Sequence, residues 1–98
     1  MGAADFMVLI PASKSSTAKS AFSEAVDAAR WEHGNGGDTG TIAEKDGFIL
    51  FAPNEGEAPE ECADRLLSDE ESPVQDKWGP AGCVRTDRGY LFFGWASS

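Results

Sequence analysis

The chain has 98 residues, which predicts a single domain over residues 1–98. Hydrophobic residues make up 41% of the sequence, so the chain can bury a core and is not disordered throughout. Its 17 Asp and Glu side chains outnumber 8 Lys and Arg, and the resulting net charge of −9 argues against direct binding to nucleic-acid phosphates.

Membrane and secretion signals are missing from the sequence pattern. No apolar run approaches the roughly 18 residues that a bilayer span requires. The first apolar run, Phe6 to Ile10, is too short for a signal peptide and has no basic region before it. Two cysteines, Cys62 and Cys83, are too few for a disulfide scaffold. The sequence therefore predicts a cytoplasmic protein with reduced thiols and no membrane contact.

The first half of the chain predicts a strand, a helix and a hairpin. Phe6 to Ile10 is a continuous apolar run typical of a buried strand. Thr17 is the expected N-cap of a helix that Gly34 ends. Thr39 to Lys45 and Phe48 to Ala52 flank an Asp-Gly turn and predict a β-hairpin. The helix has its apolar positions at helical spacing, namely Ala18, Phe22, Ala25, Val26 and Ala29.

The second half predicts another helix and another hairpin. Pro59 fits the first position of the helix, whose apolar side carries Cys62, Ala63, Leu66 and Leu67. A short helical turn is expected to open at Ser72 and to reach Trp78. Cys83 to Thr86 and Tyr90 to Ala96 form the last predicted hairpin.

This order of elements matches a ferredoxin-like β-α-β-β-α-β arrangement with an extra C-terminal strand. The predicted fold is therefore α+β, a two-layer sandwich of an antiparallel sheet with two helices on one face. A different strand order with the same two layers is the alternative. Because three strands are apolar on both faces, the second face is expected to meet the Trp78 segment, a second copy or a partner.

The charge is concentrated in one part of the chain. The acidic segment, Glu55 to Asp76, contains nine acids and one base, Arg65, and carries −8, whereas the other 76 residues carry −1. A solvated helix face would explain this pattern. An acidic surface that docks on a basic site of a partner would also explain it, because complementary charge guides association.

Catalytic and ligand-binding patterns are weak. His33, the one histidine, fits a helix C-terminus, where it interacts with the last carbonyls. Cys62 and Cys83 fit core positions rather than nucleophiles. The glycine-rich loop from Gly34 to Gly40 follows a helix and precedes a strand, the reverse of a phosphate-binding loop. The residues also lack metal-ligand spacing, so we expect no enzyme activity, cofactor or metal.

Three stretches resemble small uncharacterised proteins of bacteriophages and mobile elements of high-GC bacteria. They are Gly36 to Lys45, Lys77 to Gly82 and Leu91 to Ala96. Small acidic phage proteins without catalytic residues are often inhibitors of host defence, and anti-CRISPR proteins are among them. The resemblance implies such an inhibitor and names no catalytic residue.

Charge and resemblance together predict a non-enzymatic binding protein that presents an acidic surface to a nucleic-acid-binding site on a protein partner. Trp78 is the expected aromatic anchor beside that surface. The alternative is a self-assembling module that dimerises through an apolar sheet face. The expected contact residues are Glu57, Glu60, Glu61, Asp64, Glu70, Glu71 and Trp78.

Overall fold

The structure, a computed structural model, describes residues 2–34, 37 and 39–98. The Gly34 to Gly40 loop and the first resemblance stretch therefore lie partly outside the described residues. Single 3₁₀ turns cover Ile42–Glu44 and Pro73–Gln75. The strands and helices are β1 (Ala3–Pro11), α1 (Ala18–His33), β2 (Phe48–Phe51), α2 (Pro59–Ser68), β3 (Ala81–Arg85) and β4 (Gly89–Ser97).

The fold is a small α+β domain with two helices and a four-stranded mixed sheet in the order β1-β4-β3-β2. Strand β4 is antiparallel to both of its neighbours, whereas β2 is parallel to β3. The prediction of a purely antiparallel sheet is therefore wrong, and the ferredoxin-like layout is not confirmed. A parallel pair requires a crossover connection, and α2 supplies it between β2 and β3.

The two helices lie on opposite faces of the sheet, which corrects the prediction of two helices on one face. Phe92 packs in the cluster under α1, and the next residue, Phe93, packs in the cluster under α2. Successive side chains of a strand point to opposite faces, so β4 separates the two clusters. Val74 of the second 3₁₀ turn is buried on the α2 side, which shows that the segment before Trp78 covers part of that face.

The second strand of the predicted first hairpin is present as β2, but a 3₁₀ turn stands in place of its first strand, Thr39 to Lys45. Thr41 caps this turn by accepting a hydrogen bond from the Ala43 N–H at 3.2 Å. The Glu44 carboxylate accepts two hydrogen bonds from Thr39, one from its hydroxyl at 2.8 Å and one from its backbone N–H at 3.2 Å. Ile42, only 1% exposed, enters the core under α1. Local side-chain bonds and one buried isoleucine thus outweigh the Asp-Gly turn signal.

Several local predictions are confirmed. Thr17 caps α1 by accepting the Ser20 N–H at 3.1 Å, and Gly34 ends the helix with a φ of +81°. Pro59 begins α2, and β3 and β4 form the predicted last hairpin. In the described part of the chain, neither helix is long and apolar enough to cross a membrane.

Candidate partner-binding surface

Helix α2 turns one apolar side to the sheet and an acidic side to solvent. Its ten residues give it a length of about 15 Å. Glu60 and Asp64 are exposed and lie one helical turn apart, where like charges repel by a few tenths of a kcal/mol. Glu61 also caps the helix start, since its Oε1 accepts the Ala58 N–H at 3.0 Å.

Three more exposed carboxylates, Asp69, Glu70 and Glu71, follow the C-terminus of α2. The helix dipole is negative at this end and favours cations there, so the position is unfavourable for acids. Asp69 accepts the Glu71 N–H at 3.0 Å, which fixes the turn. We call these residues the acidic surface, comprising Glu60, Glu61, Asp64, Asp69, Glu70 and Glu71.

The C-terminal end of α2 is anchored to the sheet by side chains. The Leu67 carbonyl accepts a hydrogen bond from the Trp95 indole N–H at 3.0 Å. The side-chain amide of Gln75 donates to the same carbonyl. Helix ends leave carbonyls without helical partners, so these two donors satisfy one of them and hold the acidic turn against β4.

Trp78 lies in the loop before β3, at the end of the sheet where α2 also ends, and is 73% exposed. A buried cation holds this loop. The Lys45 ammonium, in a residue only 3% exposed, donates hydrogen bonds to the carbonyls of Asp76, Lys77 and Gly79 at 3.4, 3.2 and 2.9 Å. Burial lowers the pKa of Lys45, and the nearby Asp76 carboxylate opposes that effect.

Glu57 does not belong to the free acidic surface. Its carboxylate accepts two hydrogen bonds from the Arg65 guanidinium at 2.8 and 3.1 Å and one from the Asn54 N–H at 3.0 Å. These bonds, those from Arg65 above all, lower the pKa of Glu57 to about 2. Arg65, the one base of the acidic segment, is thereby committed to Glu57 and forms no ion pair with the carboxylates of the acidic surface.

This pair predicts a loss of stability in acid. The pKa of Glu57 is lower in the folded protein than its ordinary value of 4.5. The pair therefore stabilises the fold at neutral pH, and this contribution disappears as the pH falls from about 4.5 towards 2. We expect Glu57→Gln to lower the thermal midpoint at pH 7 and to flatten its fall over that range. Glu60→Gln is the control, and an unchanged acid slope in Glu57→Gln would contradict the assignment.

The histidine and the two cysteines are not arranged as a catalytic or ligand-binding site. His33 lies 3.7 Å from the Glu32 carboxylate on exposed surface. Both thiols are buried, and burial raises the pKa of Cys62 and raises that of Cys83 to about 12. Both cysteines therefore stay protonated and serve as packing residues. Within residues 2–34, 37 and 39–98, no cluster of three or more His, Cys, Asp or Glu could hold a metal ion.

The predicted contact residues thus separate into three groups. Five acids belong to the acidic surface, Glu57 is paired with Arg65, and Trp78 is exposed on the neighbouring loop. No sequence pattern indicates that Lys45, Gln75 and Trp95 hold these elements in place. A lysine predicted in a strand and an amide in a short turn carry no local signal of such long-range contacts.

No protein-family model, curated protein or solved structure matches the chain. The resemblance to phage proteins stays a prediction from sequence.

Proposed function

We propose that this chain is a small, non-enzymatic acidic binding protein that occupies a basic, nucleic-acid-binding site on a protein partner. In this role it would be a phage-type inhibitor of host defence, similar in action to anti-CRISPR proteins, in the cytoplasm of a bacterial host. One observation carries the proposal: of the nine acids between Glu55 and Asp76, only Glu57 forms an ion pair among the described residues.

The position of the free carboxylates supports binding rather than local stability. Glu60 and Glu61 are favourably placed at the positive end of α2, but Glu70 and Glu71 follow its negative end. Residues placed against a local electrostatic preference, as Glu70 and Glu71 are, occur mostly at functional sites. A basic partner would remove this repulsion on binding, because its Lys and Arg side chains would neutralise carboxylates as they neutralise phosphates.

The scaffold presents these charges in a fixed arrangement. Three successive turn hydrogen bonds, from Ser72 to Asp69, from Gln75 to Ser72 and from Gly79 to Asp76, link the acidic turn to the Trp78 loop at 2.9–3.0 Å. A surface that is already ordered loses less conformational entropy on binding. Exposed tryptophans are frequent anchors of interfaces, so Trp78 supplies apolar contact beside the charges.

The proposal is tested by capture from a bacterial lysate with the tagged chain at low and at high ionic strength. Screening shortens the range of charge interactions from about 10 Å at 0.1 M salt to about 3 Å at 1 M. We expect a nucleic-acid-binding complex to be retained at low salt and released at high salt. Retention of the same proteins at both salt concentrations, or recovery of this chain alone, would contradict the proposal.

A further inference from the structure

Strand β1 lies at an edge of the sheet, and no described residue forms a strand on its outer side. Exposed edges are usually protected by charges, proline, bulges or short length. Strand β1 has nine residues, and its pairing with β4 runs from Ala3 to Pro11 without a bulge. Its centre, Phe6 to Ile10, contains neither charge nor proline. The opposite edge strand, β2, has only four residues.

Apolar surface flanks this edge on both faces of the sheet. On the α1 side, a groove of about 410 Å³ runs between α1 and β1 and contains Phe6, Val8 and Ala29. On the α2 side, Met7 and Leu9 are 40% and 38% exposed, because α2 packs over β3 and β4. The prediction of a buried first strand is therefore wrong, since Ile10 alone of Phe6 to Ile10 is buried. A strand added beside β1 would find apolar contacts above and below it.

We propose that the outer edge of β1 pairs with β1 of a second copy, antiparallel and about a two-fold axis near Val8. The occupant must itself be apolar on both faces, and Phe6 to Ile10 meets that requirement. In this register Asp5 lies opposite Pro11 of the second copy. The N–H of the next residue, Ala12, already donates to the carbonyl of Arg88 at 2.8 Å and therefore takes no part in the contact between the copies.

Charge selects the antiparallel direction. It places Asp5 of each copy near the end of β1 where Arg88 is bonded to Ala12, so the Asp5 carboxylate and the Arg88 guanidinium approach one another. A parallel pair would place the two Asp5 carboxylates together. The contact depends on backbone hydrogen bonds and apolar side chains, and we expect it to persist at high salt, where binding through the acidic surface is lost. The two contacts are therefore independent of one another.

The test is the mass of the full chain by sedimentation over a wide range of protein concentration. We expect about twice 10.4 kDa at high concentration. Leu9→Lys puts a charge into the paired edge of each copy and should weaken dimerisation on the order of 100-fold. Leu50→Lys is the matched control, because Leu50 is 59% exposed on the other edge strand and the same change there should leave the dimer intact.

Three results would overturn the proposal. They are a wild-type mass of 10.4 kDa at every concentration, a dimer unaffected by Leu9→Lys, and equal dissociation by Leu50→Lys. Circular dichroism checks that both variants fold. If Leu9→Lys does not fold, amide hydrogen exchange of the wild type decides the matter. The proposal requires exchange within Phe6 to Ile10 to slow with concentration, and unchanged exchange there would refute it.

Discussion

Reversing four exposed carboxylates to lysine should lower the affinity for a partner captured at low salt by about 100-fold or more. The four are Glu60, Asp64, Glu70 and Glu71, and their reversal changes the net charge from −9 to −1. Each lysine would meet a basic group of the partner, and like charges at an interface cost several kcal/mol in total. The affinity is measured with the purified partner at constant ionic strength.

A matched variant separates the acidic surface from the net charge. Lysine at Glu24, Asp27, Glu32 and Asp87, four acids outside the acidic segment that are also exposed, gives the same net charge of −1. We expect this variant to keep most of the affinity. Equal losses in the two variants would show that overall charge alone governs binding. No loss in the first variant would show that the acidic surface is not the contact.

Removing either central aromatic ring of β4 should strongly destabilise the fold. Phe92 and Phe93 are both 0% exposed, on opposite faces of the sheet. Phe92 packs against the rings of Phe22 and Phe48 at centroid distances of 5.7 and 5.6 Å. Replacement of such a buried ring by alanine typically costs about 3–5 kcal/mol, a large part of the roughly 5–15 kcal/mol that stabilises a domain.

The free energy of unfolding from denaturant titrations checks this expectation for Phe92→Ala and Phe93→Ala. Trp31→Ala is the control, since Trp31 is 89% exposed and such surface changes usually stay within about 0.5 kcal/mol. Two large losses confirm that a helix covers each face. If only one of the two substitutions were costly, the other face would lack the buried packing that the structure shows there, which would contradict this arrangement.

The helices could be predicted because their signals are local. Thr17 and Gly34 cap α1, Pro59 begins α2, and the apolar spacing of both helices needs no knowledge of distant residues. The last hairpin also follows from its own turn. The prediction of the first hairpin was wrong because the Asp-Gly turn signal competed with the Thr41 cap and with the burial of Ile42. Neither of these is evident without the rest of the core.

One sequence feature does indicate the observed sheet, namely the strands that are apolar on both faces. Phe48 and Phe51 are apolar on opposite faces of β2, and such strands are typical of a parallel pair covered on both sides. The prediction instead places both helices on one face and covers the other with the Trp78 segment, a second copy or a partner. At the acidic surface, the concentration of charge could be counted directly. No sequence pattern indicates that Arg65 forms an ion pair with Glu57. Nor does one indicate that Lys45 donates hydrogen bonds to the Trp78 loop.

Displacement by duplex DNA is the most direct test of the proposed function. The partner captured at low salt is bound to the immobilised chain, and DNA is added at constant ionic strength. If the acidic surface occupies the nucleic-acid site, DNA must release the partner, and the half-maximal DNA concentration must rise in proportion to the concentration of this chain. A partner that binds DNA and this chain at the same time would contradict the proposal.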